Sequence, residues 1–126
     1  MPEKGIKGKK EFVVTDDCTA RAMGSGSLEV YATPSMISHM ENVAASSIEK
    51  YLEPGQASVG TFINVRHLAA VRPGSKVIVE SRLTDIDRKK MSFEIKVYDE
   101  TGIIGEGEHD RFIIEVDKFM KKVEER

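Results

Sequence analysis

Thr33, Glu41 and His67 offer a hydroxyl, a carboxylate and an imidazole. Together these groups can donate a hydrogen bond, attack or activate a nucleophile, and move a proton near neutral pH. Glu41 is the most informative. On a helical wheel of about 100° per residue, Val43, Met36, Met40, Tyr51, Ala44, Ile37, Ile48 and Leu52 fill one apolar half, and Glu41 falls between Ile48 and Leu52. A carboxylate buried there costs several kcal/mol unless paired or hydrogen-bonded. It either pairs with a cation from a sheet, or sits at the edge of the arc and reaches water, or is a poorly solvated catalytic carboxylate.

Thr33 lies two helical turns before Glu41, where a hydroxyl is equally suited to cap the helix. His67 ends a strand in "VRHLAA", a place where a lone histidine is ordinarily structural. Gly60 interrupts the strand "SVGTFI" and signals a bulge or a close approach of the backbone to something else. Arg111 either neutralises Glu41 or holds an anionic ligand, and His109 shares its strand face with no role that the sequence assigns.

The elements that position these residues follow from periodicity. "TPS" opens a long helix at Thr33–Pro34 that runs to Leu52, with Thr33 as cap and Pro34 in the first turn, and "EPG" closes it. Beyond it the period becomes two. "SVGTFINVRHL", "KVIVESRLTDI", "MSFEIKV" and "IIGEGEHDRFIIEV" are strands joined by the turns "RPGS", "DRKK" and "DETG", and "DKFMKKVEER" is a short closing helix. Upstream, residues 1–10 read as a loose lead-in, "EFVV" as a first strand, "AMGSGS" as a flexible loop and Leu28–Tyr31 as a short strand. One helix followed by long, tightly connected strands is an α+β domain with an antiparallel sheet.

The 126 residues suit one domain, spanning 1–126, and contain no apolar run near the roughly 20 residues needed to cross a bilayer. The single cysteine, Cys18, excludes an internal disulfide and a thiolate metal cluster. With no apolar stretch near the N-terminus, a cytoplasmic location is expected, and a net charge of −2 disfavours nonspecific nucleic-acid binding. Neither a membrane nor a nucleic acid is an expected partner.

Four segments, "YATPSMISHMENVA", "SVGTFINVRHLAAVRPG", "YDETGIIGEGEHDRF" and "DKF", resemble the hot-dog-fold thioesterases related to fluoroacetyl-CoA thioesterase, over residues 30–121. The resemblance implies a long central helix wrapped by a curved antiparallel sheet, a homodimer with active sites at its interface, and hydrolysis of a small acyl-CoA thioester. In this chain the catalytic residues would be Thr33, Glu41 and His67, and Gly60, His67 and Arg111 would contact substrate. Coenzyme A enters as part of the substrate, with no separate cofactor or metal. The Thr-Pro-Ser run and the small residues of "AMGSGS" depart from the fluoroacetyl-specific pattern, which carries bulky apolar residues as a lid. Two rivals share the fold: a non-catalytic acyl-CoA-binding or sensing module, which would not need all three catalytic types, and a dehydratase, whose Asp/His pair at the helix start is missing here.

Overall fold

The alternation of apolar and polar residues along four long segments sets up a sheet with one dry face. A computed structural model describes Met1–Arg126, with five strands: β1 (Lys7–Val13), β2 (Gln56–His67), β3 (Lys76–Asp87), β4 (Lys90–Asp99) and β5 (Gly102–Glu115). All neighbours are antiparallel and the order is β1-β3-β4-β5-β2, so the first two strands in sequence become the two edges. Helices are α1 (Ala20–Met23), α2 (Thr33–Glu49) and α3 (Val116–Glu124). α2 joins the region after β1 to β2, and packs against both edge strands and the middle of the sheet.

The dry face is built from period-two residues. Val77, Val79 and Leu83 of β3, and Met91, Phe93, Ile95 and Val97 of β4, are buried with Met36, Met40, Val43, Ala44 and Ile48 of α2 in one cluster. Gly8 of β1 is small by necessity, since a Cβ there would lie 2.8 Å from the Ser47 Cβ and 3.0 Å from the Val43 carbonyl oxygen of α2. The opposite face is polar. Lys9, Glu80, Lys96, Glu106 and Arg66 stand opposite one another across all five strands, alternating in sign from edge to edge. Opposite charges directly across a ladder are favourable, by a few tenths of a kcal/mol to about 1 kcal/mol each.

The turns are short. Arg88 takes a left-handed conformation (φ 58°) between β3 and β4. Between β4 and β5 the Asp99 carboxylate accepts hydrogen bonds from the Thr101 N–H (2.8 Å) and hydroxyl (2.6 Å), which hold its pKa below the ordinary carboxylate value.

Several expectations need correction. β1 begins at Lys7, so residues 7–10 of the supposed lead-in are paired with β3, because the free edge of β3 offers a ladder to their backbone. The 28–31 segment forms only an isolated bridge, Thr19 to Tyr31, and the residues before it make a short 3₁₀ turn (Asp16–Cys18) and α1. The cap of α2 is Ala32 with no side-chain bond, which leaves the Thr33 hydroxyl free for another partner. α2 ends at Glu49, and Tyr51 and Leu52 continue in tighter i to i−3 turns, leaving Tyr51 exposed.

The pairing of the N-terminal residues can be tested by truncation. Removing residues 1–10 deletes four of the seven β1–β3 residue pairs. It is expected to lower Tm by about 5 °C or more, at roughly 4–8 °C per kcal/mol for a small domain. An unchanged Tm by calorimetry would mean those pairs contribute nothing.

Candidate active site

Helix geometry separates the candidate residues into two groups. Thr33 and Glu41 are eight residues apart on α2, which at 1.5 Å per residue is roughly 12 Å along the axis. Each meets a different part of β2. Within one chain the structure therefore brings Thr33 to His67, and brings Glu41 to Gly60, His109 and Arg111. It does not place Thr33 and Glu41 at one centre.

The first group sits at the start of α2. The Thr33 hydroxyl and His67 Nδ1 are hydrogen-bonded at 2.9 Å, while His67 Nε2 is buried without a partner. Burial lowers the His67 pKa, partly opposed by the Ala69 backbone, so the ring favours the neutral form. A cleft of about 340 Å³ opens here, lined by the 30–34 and 67–70 segments together with Ala20 and Ser25. Its lining is mostly apolar and includes Thr33 and Pro34 of the first turn of α2, the positive end of that helix.

Sequence reading missed the support behind this pair. Tyr31 is buried, its ring stands edge-on to His67 (5.9 Å between centroids), and its hydroxyl bonds His39 Nδ1 at 2.6 Å. His39 in turn stacks on Phe12 of β1 at 4.0 Å. The only hint in the sequence was an aromatic residue two positions before Thr33.

The second group is organised by Arg111. On β5, His109 and Arg111 point to the same face, and both are buried. Arg111 Nε donates to Ser58 Oγ (2.8 Å), and its Nη2 donates to the Ser58 carbonyl oxygen (2.9 Å). Its Nη1 lies 3.1 Å from His109 Nε2 and 3.7 Å from Glu41 Oε1. Burial disfavours the charged guanidinium, and Glu41 opposes that shift. Glu41 itself lies at the rim of the apolar arc with its side chain 38% exposed. Of the readings the sequence left open, the ion pair and the rim position are thus both present in a single chain.

Gly60 explains itself at this point. A Cβ there would lie 2.7 Å from Glu41 Oε1, 3.2 Å from His109 Cε1 and 3.3 Å from Arg111 Nη1. Just after it, the β2–β5 register shifts between Gly60 and Phe62, which is the bulge expected from the glycine. The missing side chain is the space the carboxylate occupies.

A central helix laid on a five-stranded antiparallel sheet is the architecture of the hot-dog thioesterases. The comparisons agree. Residues 14–117 match the family described as fluoroacetyl-CoA-specific thioesterase. The fluoroacetyl-CoA thioesterase of Streptantibioticus cattleyicolor is 38% identical over 98 residues, covering 78% of this chain and 70% of that protein. A crystal structure of a point variant of the fluoroacetyl-CoA-specific thioesterase, in complex with fluoroacetate and CoA, superposes with a TM-score of 0.89 at 33% identity, covering 94% of this chain and 99% of the other. A thioesterase superfamily member from Thermus thermophilus is 31% identical, with a TM-score of 0.89 over 98% of this chain and 94% of its own. The chain belongs to the fluoroacetyl-CoA-specific thioesterase family, and it is a thioester hydrolase.

The environment of the imidazoles has a thermodynamic consequence. All three histidines, His39, His67 and His109, have pKa values lowered from 6.5, with burial the largest cause in each case. The unfolded chain therefore binds protons that the native chain resists. Stability is complete above the unfolded value and is lost as pH falls from there through the depressed native values. Tm should be lower at pH 5.5 than at pH 7.5; a flat or inverted profile over that window would contradict the burial of these rings.

Proposed function

We propose that the protein hydrolyses small acyl-CoA thioesters at a site assembled from two copies of the chain, without selecting for fluoroacetyl. The observation that carries the composite site is the stripe Thr33–Ile37–Glu41, spaced i, i+4, i+8 along one side of α2. Ile37 is the midpoint and is only half-buried in a single chain. A twofold axis beside Ile37 sets two α2 helices antiparallel, with Thr33 of one against Glu41 of the partner subunit. β2 supports the same pairing, because it is an edge strand of twelve residues with one unpaired side and an exposed Phe62. An open edge of that length is a natural surface for a second copy.

In this arrangement the acyl group enters the apolar cleft beside Thr33 and His67. The Thr33 hydroxyl and the first turn of α2 hold the thioester carbonyl, where negative charge develops on oxygen. Glu41 of the partner subunit supplies the carboxylate, either adding to the carbonyl carbon or taking the proton from a water that does so. Where a water attacks, the carbon–sulfur bond breaks to give the free acid, and the neutral His67 is placed to relay the water's proton to the leaving thiolate. Where Glu41 adds, the thiolate departs and leaves a mixed anhydride. Water then cleaves that anhydride, its oxygen going to the acid, one of its protons reaching the thiolate, and Glu41 returning as the carboxylate. The second copy also shields Glu41 from solvent, which makes its carboxylate more reactive toward the thioester.

Selectivity follows from the cleft. Gly24, Ser25, Gly26 and Ser27 are exposed and small, and no bulky apolar side chain from that loop covers the acyl position. Thiol release measured over acyl-CoA esters of increasing chain length should show turnover of short esters, with kcat/KM for acetyl and fluoroacetyl within about tenfold, or about 1.4 kcal/mol. Discrimination of several hundredfold would contradict the open cleft, and CoA-ester binding with no thiol release would favour the sensing module instead. Glu41→Gln should keep the fold, since Arg111 retains Ser58 and His109, while lowering kcat by about a hundredfold or more.

A further inference from the structure

His109 is buried at 1% exposure in the middle of the β5 inner face, and none of the chemistry above uses it. Its surroundings fix its protonation. Nδ1 is 2.8 Å from the Phe62 carbonyl oxygen, which only accepts, so Nδ1 carries the proton and donates it. Nε2 faces Arg111 Nη1 at 3.1 Å, and Arg111 only donates, so Nε2 must present its lone pair. Both ring nitrogens are thereby committed, and the ring is neutral.

We infer that His109 is a positioning residue, whose neutral Nδ1–H form holds the Arg111 guanidinium and, through it, orients the Glu41 carboxylate over Gly60. The chain of contacts is continuous: the Phe62 carbonyl at the bulge, His109, Arg111, then Glu41. Ser58 anchors the far side of the guanidinium, leaving Nη1 as the atom shared by His109 and Glu41. Protonating Nε2 would set two cations 3.1 Å apart in a buried space and remove the acceptor that Nη1 uses. The charged groups acting on His109 are Arg111 and Asp110 on its own strand and Glu41 from α2; β4 faces it with the Phe93 ring. Burial, the largest influence, and Arg111 oppose protonation, while the Phe62 carbonyl, Glu41 and Asp110 favour it. Acidification therefore disturbs the carboxylate's orientation through His109, separately from any effect on His67. This inference rests on the thioesterase reading above.

The test compares His109→Leu with His109→Gln. Leucine removes both hydrogen bonds, whereas the glutamine amide can donate to the Phe62 carbonyl and accept from Arg111 without titrating. With an acyl-CoA ester that the native protein hydrolyses, His109→Leu should lose about a hundredfold in kcat with KM within about threefold, and His109→Gln should recover most of that loss. The acid limb of log kcat against pH should be shallower by one proton in His109→Gln than in the native protein. Equal losses in the two variants, a native kcat in folded His109→Leu, or an unchanged acid limb in His109→Gln would each overturn the inference. If His109→Leu does not fold, the acid limb of His109→Gln decides alone. ¹⁵N NMR of the native protein adds an arm independent of activity: protonated Nδ1 and bare Nε2 are expected near neutral pH, and the opposite tautomer would overturn the inference. Absence of native hydrolysis would instead count against the thioesterase reading.

Discussion

A guanidinium held 8% exposed must be surrounded by acceptors, and much of the candidate site follows from that requirement at Arg111. Removing an ion from water costs several kcal/mol even after relaxation, so each N–H of a buried arginine needs a partner. Ser58 provides two oxygens, His109 a nitrogen lone pair and Glu41 the balancing charge. The requirement reaches outward into sequence. A glycine at position 60 lets the carboxylate lie where it does, since a Cβ there would stand 2.7 Å from Glu41 Oε1 and push it aside. The strand bulges immediately afterwards, which brings the Phe62 carbonyl to His109.

Most of the architecture was legible because its signals are local. The change from a period of 3.6 to a period of two after Leu52, and turn residues such as Pro73-Gly74, mark the elements to within a few residues. What misled was context. Lys7, Lys9 and Lys10 are charged and look like a loose end, but an edge strand needs only backbone to pair, and the lysine side chains reach solvent or polar neighbours. Thr33 looks like a cap, and only the return of β2 to the start of α2 shows its hydroxyl bonded to His67 instead. Tyr31, His39 and Phe12 touch only in three dimensions, and no spacing along the chain announces a stack between β1 and α2.

The helical wheel located Glu41 correctly in angle but could not say what lies beyond the rim. The carboxylate is neither deeply buried nor a plain surface charge: it bridges a buried cation and the side of α2 that faces the β2 edge. The family relationship supplies the thioester chemistry. The distance of roughly 12 Å between Thr33 and Glu41 along the helix is the reason the proposed chemistry draws on a second chain, with Ile37, between them on the same stripe, at the proposed axis.

The composite site is tested most directly by mixing two inactive chains. Glu41→Gln and His67→Gln are each expected to abolish most hydrolysis when expressed alone. Co-expressed in equal amounts, half of the dimers should be mixed, each with one site carrying both substitutions and one site carrying neither. The account predicts recovery of about a quarter of native activity on that basis, with every dimer correctly formed. If the mixture stays at the level of the single variants, Glu41 and His67 act within one chain, and the assembly of the site from two copies is wrong.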